Sequence, residues 1–162
     1  MRSKYHWQLP TSIFFFIAAT VVLLDQLTKM LVREKIPLGT SVPVIPYILS
    51  LTHTTNTGAS FSLFTKYSFL LTSIAVAVIL AIIFFYKIIP KEYKLSFALI
   101  LGGTAGNLCD RIFFGRVTDF MDIHTFSIFN VADSAITLAA ILLIIVVFRE
   151  EKELSESLEI KI

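Results

Sequence analysis

Four long apolar runs limit what this chain can become. Residues 13–32 (IFFFIAATVVLLDQLTKMLV), 68–89 (SFLLTSIAVAVILAIIFFYKII), 95–113 (LSFALILGGTAGNLCDRIF) and 131–148 (VADSAITLAAILLIIVVF) stand out in a sequence of 162 residues. At a rise of about 1.5 Å per residue, each makes a helix of roughly 27–33 Å, the thickness of a bilayer's hydrocarbon core. The second and fourth runs carry no polar stripe of helical period, which argues against a soluble bundle. The hydrophobic fraction of 56 % points the same way, since soluble domains hold roughly 45–50 %. The expected fold is therefore an all-α membrane protein of four transmembrane helices. Residues 1–150 form a single transmembrane domain, and 151–162 are a polar tail.

Arg2 and Lys4 precede the first run, as in a secretory signal. That run is too long for a signal's apolar segment and lacks a small-residue cleavage site, so it reads as a retained helix. Lys and Arg in the short loops favour both termini inside. Arg2, Lys4, Lys87, Lys91, Lys94, Arg149, Lys152 and Lys161 then lie on the cytoplasmic side, against Arg33, Lys35, Lys66 and Arg116 outside. The long outer loop, 33–67, is rich in β-branched and aromatic residues with a turn signal at Asn56-Thr57-Gly58. A small β-rich element is expected there. Residues 90–94 read as a short basic turn and 114–130 as a loop. No basic cluster with interleaved aromatics suggests nucleic acid. The single cysteine, Cys109, excludes an internal disulfide.

The acidic residues divide by type. All seven Glu fall in loops or the tail, whereas all five Asp (25, 110, 119, 122, 133) lie within or beside the apolar runs. A charge at bilayer depth costs roughly 2.5–3.5 kcal/mol on insertion scales, so these aspartates are candidate functional groups. Asp25 is expected to end helix one, Asp110 to end helix three and Asp133 to open helix four, all on one membrane face. Simpler roles compete. Asp25 and Lys29 suit an i,i+4 ion pair, Asp110 and Arg111 can bind neighbouring elements, and Asp133 suits a helix N-terminus. Asn130 can cap that helix without Asp133. Asp119 has no such role, and Asp122 reads as solvated. Helix three adds a polar face of Gly103, Asn107 and Asp110 or Arg111, with Gly102 and Gly106 as a close-packing pair.

Other chemistries lack their residues. There is no G-x-S-x-G elbow and no H-E-x-x-H motif, His53 and His124 lack ligand spacing, and Cys109 reads as a small buried residue. No cofactor is implied, although a two-aspartate metal site stays open. Two close aspartates would share one proton, one acting as base on water and the other as acid, which hydrolyses peptides without metal or covalent intermediate. The residues alone leave an aspartyl hydrolase beside two alternatives. One is a proton-coupled transporter or channel subunit using intramembrane carboxylates; the other is a scaffold. Transport fits less well because the acids gather at one face and helices two and four are unbroken.

Five motifs in order resemble the lipoprotein signal peptidase (signal peptidase II) family of bacterial membrane aspartyl proteases. They are DQLTK at 25–29, NTGASFS at 56–62, GGTAGNLCDR at 102–111, VTDF at 117–120 and FNVADS at 129–134. The resemblance implies that Asp119 and Asp133 are catalytic. It implies that Asn56, Gly58, Asn107, Arg111 and Asn130 bind substrate or order the site, and that Asp25, Lys29 and Asp110 support it. It further implies prolipoprotein substrates bearing a diacylglyceryl-modified cysteine and cut on its N-terminal side. The enzyme would sit in the cytoplasmic membrane among its lipids, its site at the outer face and open to cyclic peptide antibiotics such as globomycin. Departures are a short segment between the two aspartates and Thr118 where Val is more frequent.

Overall fold

The computed structural model describes residues 9–56, 65–124 and 126–159. Four helices dominate: α1 (Thr11–Lys35), α2 (Thr65–Phe85), α3 (Lys94–Phe114) and α4 (Val131–Glu159). Among the described residues, Thr11–Lys35, Phe69–Ile88 and Val131–Glu156 are long and apolar enough to cross a membrane. The helix α3 is 21 residues long but falls outside that group. Gly102, Gly103, Thr104, Asn107, Asp110 and Arg111, from its middle to its last turns, dilute its apolarity.

Local chemistry sets the helix ends. Pro37 follows α1 and forces Ile36 into extended backbone, while Arg33 and Lys35 suit the negative end of the helix dipole. Gly115 ends α3 in the left-handed conformation (φ 69°), its N–H bonding to the Arg111 carbonyl at 3.0 Å. The sequence places Asp25 at the end of helix one, but α1 runs ten residues further, to Lys35. Asp25 is therefore a mid-helix group. The polar tail continues α4 as helix to Glu159.

The helix interfaces follow from small residues. On α1 the buried stripe is Phe14, Ala18, Val21, Asp25, Lys29 and Val32, spaced by threes and fours. The close-packing pair on α3 meets this stripe. A Cβ on Gly102 would lie 2.7 Å from the Ala18 carbonyl oxygen, and one on Gly106 2.6 Å from an Asp25 oxygen. On α4 the buried residues are Ala132, Ala135 and Ala139, so α4 also approaches α3 closely. An apolar core of Phe14, Ala18, Ile82, Tyr86, Ile89, Ala98 and Leu101 closes the opposite end of the bundle, where the Tyr86 hydroxyl donates to Thr11 (2.8 Å).

The expected β element is present and larger than expected. Strands β1 (Ser41–Ile45) and β2 (Leu49–Asn56) form a hairpin from the long loop, and β3 (Val117–Ile123) adds to β2, giving an antiparallel sheet in the order β1-β2-β3. The expectation of a loop over 114–130 is thereby corrected for VTDFMDI. Its Val117, Thr118, Phe120 and Ile123 suit a strand, and the segment pairs with β2, Thr54 opposite Asp119. A bulge lets Thr52 and His53 oppose Phe120. His53 is buried there with Nδ1 2.7 Å from the Ile36 carbonyl oxygen; that oxygen only accepts, so the ring donates and pins the sheet to the end of α1.

Candidate functional site

The chain between Asp119 and Asp133 doubles back on itself. The N–H groups of Phe120 and Met121 both reach the Phe129 carbonyl (3.1 and 2.8 Å), and Phe129 N–H returns to the Met121 carbonyl at 3.1 Å. The reversal sets Asn130 beside β3 just where α4 begins. Asn130 is fully buried, and its Nδ2 donates to Asp119 Oδ1 at 2.6 Å and to Asn107 Oδ1 at 3.1 Å. A longer contact, 3.4 Å, reaches the Thr118 carbonyl.

Asn130 also caps α4. Its Oδ1 accepts the Asp133 N–H at 2.9 Å, and Asp133 Oδ2 accepts the Asn130 N–H at 3.3 Å. This reciprocal pair is a capping box with Asp in the third helical position. Asn130 is thus the cap the sequence suggests, and Asp133, which the sequence does not require for this, takes part as well. Its other oxygen, Oδ1, receives Asn107 Nδ2 at 2.8 Å. A chain of two asparagine amides therefore links Asp119 to Asp133.

Behind this chain lies a buried ionic cluster. Lys29, with no exposed surface, sits 2.8 Å from Asp25 and 3.4 Å from Asp110, both equally buried, and donates to Asn107 Oδ1 at 2.9 Å. Asp25 Oδ1 accepts the Ala132 N–H (3.0 Å), and Asp110 Oδ2 accepts the Thr118 N–H (2.8 Å). The cluster thus holds both the start of α4 and the strand residue next to Asp119. Gln26 Nε2 reaches Asp25, Asp110 and the Gly106 carbonyl at 3.0–3.1 Å. Arg33 bonds Thr118 Oγ1 at 3.1 Å, contacts Asp110 at 3.4 Å and stacks over Phe114. No buried side-chain polar atom among the described residues lacks a partner.

Asp119 is 3 % exposed, and burial, with a smaller push from the Asp133 charge, raises its carboxyl to about 6. Hydrogen bonds from Asn130 and Asn56 and the charge of Lys29 act in the opposite direction without cancelling that rise. Asn56, at the end of β2, is thus brought to Asp119. Arg111 is half-buried, within electrostatic reach of Asp133 and Asp119, and contacts the Asn107 carbonyl at 3.5 Å. Gly58 lies outside the described residues. Asp122, read as solvated, is half-buried and accepts from Thr52 Oγ1 at 2.8 Å across the sheet.

Sequence reasoning did not find Gln26, Arg33 or the backbone of Thr118 and Ala132. A signal existed for the first two: on α1 they flank Asp25 and Lys29, polar residues on an otherwise apolar stripe. The backbone donors left no signal in residue identity.

The helices and buried polar cluster define a class, the polytopic helical membrane proteins. Two solved structures described as a bacterial membrane enzyme share the fold. One aligns with a TM-score of 0.81 at 28 % identity, covering 92 % of this chain and 95 % of its own. The other has a TM-score of 0.81 at 30 % identity, covering 88 % and 97 %. A lipoprotein signal peptidase of Halothermothrix orenii is 39 % identical over 140 residues, 85 % of this chain and 97 % of that protein. The sequence model for signal peptidase (SPase) II matches residues 17–149, and the chain belongs to that peptidase family.

Proposed function

We propose that this protein is an aspartyl endopeptidase of the bacterial cytoplasmic membrane that removes signal peptides from diacylglyceryl-modified prolipoproteins. Cleavage falls N-terminal to the lipidated cysteine. The observation that carries the reading is the pairing of Asp119 and Asp133 through the Asn130 and Asn107 amides, at one end of a helical bundle in a peptidase family.

In this reading Asp133 takes a proton from water as the oxygen attacks the scissile carbonyl carbon. Asp119, whose carboxyl burial pushes up to about 6, donates its proton to the carbonyl oxygen. The tetrahedral diol then collapses: one hydroxyl returns a proton to Asp119 as the carbonyl reforms, the C–N bond breaks, and the leaving amine takes the proton held by Asp133. No covalent enzyme intermediate forms. Asn56 and Arg111 bind or orient the peptide at the edge of this site, and Gly58 of the outer loop shares that role. Asp25, Lys29 and Asp110 support it.

Four spans with both termini inside, α3 crossing as the central helix, put the site at the outer face. A lipid-anchored cysteine lies there while the signal peptide's apolar segment remains in the bilayer. Residues 1–150 form the peptidase unit and 151–162 its tail.

The test is turnover of a lipid-modified precursor by Asp119→Asn and Asp133→Asn proteins purified in detergent. Both should insert and fold, and neither should cleave. Near-normal turnover in either variant would remove the dyad.

A further inference from the structure

We infer that Lys29 is a positioning residue: acting through Asn107, it fixes the direction of both side-chain amides that join Asp133 to Asp119. The inference rests on the reading of those two aspartates as the reacting pair.

An ammonium group donates hydrogen bonds and accepts none. The Asn107 atom 2.9 Å from Lys29 Nζ must therefore be the amide oxygen. The same oxygen receives Asn130 Nδ2 at 3.1 Å, so two donors converge on it. The Asn107 NH2 group is thereby turned toward Asp133, 2.8 Å away. Were that amide reversed, its NH2 would face an ammonium and a second NH2, and its oxygen would face a carboxylate. All three contacts would become repulsive.

The orientation then passes outward. Because Asn107 presents its oxygen, Asn130 must present Nδ2, which also serves Asp119 at 2.6 Å. The Asn130 oxygen is left for the Asp133 N–H at 2.9 Å, the capping bond of α4. One buried cation sets the polarity of the whole chain. Ion pairing alone does not require this arrangement. Lys29 lies 2.8 Å from Asp25 and 3.4 Å from Asp110, and Asp110 also has Arg33 at 3.4 Å, so the contact to Asn107 is additional to charge balance. A small neutral amide with two orientations is a weak specifier by itself; a donor-only partner removes one of them.

The experiment is a double-substitution cycle in the full-length protein in detergent, with a lipid-modified precursor as substrate. Lys29→Met should lower kcat about 10–100-fold, the order expected when a reacting group is misplaced by about 1 Å, with KM little changed. Asn107→Leu should lower kcat by a similar factor. The two together should be no worse than Asn107→Leu alone, because Lys29 acts through that amide. Adding Asp25→Asn to Lys29→Met removes the stranded carboxylate. Thermal stability should then recover while kcat stays low.

Losses that multiply in the Lys29/Asn107 double variant would overturn the inference, as would recovery of kcat together with stability in the Asp25/Lys29 double variant. If Lys29→Met alone does not fold, the Asp25/Lys29 double variant compared with Asp25→Asn carries the same decision. Failure of the dyad itself is read in different proteins, Asp119→Asn and Asp133→Asn, which keep Lys29.

Discussion

Replacing Gly103 by alanine tests how tightly α3 and α4 fix the site. A Cβ at this position would lie 2.5 Å from the Ala132 carbonyl oxygen and 2.8 Å from Ile136 Cγ1. The carbonyl belongs to the first turn of α4, so it cannot rotate away as a side chain would. Restoring an ordinary contact of about 3.4 Å requires that turn to retreat by about 0.9 Å. Two energies oppose each other. Alanine is a better helix former than glycine by about 1 kcal/mol, whereas overpacking a close interface costs about 1–3 kcal/mol. With a backbone atom as the obstacle, the upper end applies and the net loss is about 2 kcal/mol. For a chain of this size that lowers Tm by roughly 4–8 °C. Activity should suffer more than stability, because the displaced turn carries Asn130 and Asp133. A shift near 1 Å corresponds to about a hundredfold loss in kcat. The assay pairs thermal unfolding in detergent with turnover of a lipidated precursor. A raised Tm with unchanged kcat would refute the argument, showing that helix propensity wins and that the interface yields without moving the site.

Other outcomes follow from the same geometry. The Asp119 carboxyl lies above the ordinary value of 3.8, at about 6, so the folded state binds its proton more tightly than the unfolded chain does. Its contribution to stability is full below the unfolded value and is lost as pH rises through about 6. Asp119→Asn should therefore flatten the fall in Tm between about pH 4 and 6; a wild-type advantage that grows with pH would contradict this sign. Gly115→Ala meets no atom within 4 Å but must adopt φ near +69°, which costs about 1–2 kcal/mol. It should lower Tm by a few degrees and leave turnover intact, and a large loss of activity would show that the α3 terminus does more than turn the chain.

The helices were legible because membrane length and apolarity are written directly in composition. Their ends were less so: the run 13–32 stops where charged residues begin, yet α1 continues to Lys35 because Glu34 and Lys35 are solvated and helical at once. β3 was missed for a different reason. A strand of seven residues becomes one only when β2 supplies hydrogen bonds from more than sixty residues away, and no local pattern records that partner. Within the candidate site, Asp119, Asp133, Asn107 and Asn130 stood out as polar residues in apolar surroundings. The directions of their amides did not, since Lys29 determines them from another helix. Asp25 reads from the sequence as a helix-end group. It lies mid-helix because a lysine, a glutamine and a backbone N–H satisfy it there.

The i,i+4 arrangement of Asp25 and Lys29 has a consequence for how the protein is made. Lys29 meets Asn107 across 78 residues and Asp25 meets Ala132 across 107, so these partners do not yet exist when α1 leaves the ribosome. At roughly 5–20 residues per second, about 5–20 s pass before α4 is synthesised. During that interval two opposite charges on one helix face can neutralise each other, which eases the insertion of α1 before its final partners arrive. On the proposed reading the site is also incomplete until α4 is made, because Asp133 lies in its first turn and Asn130 caps it. On that reading a nascent chain still lacking α4 cannot cut its neighbours.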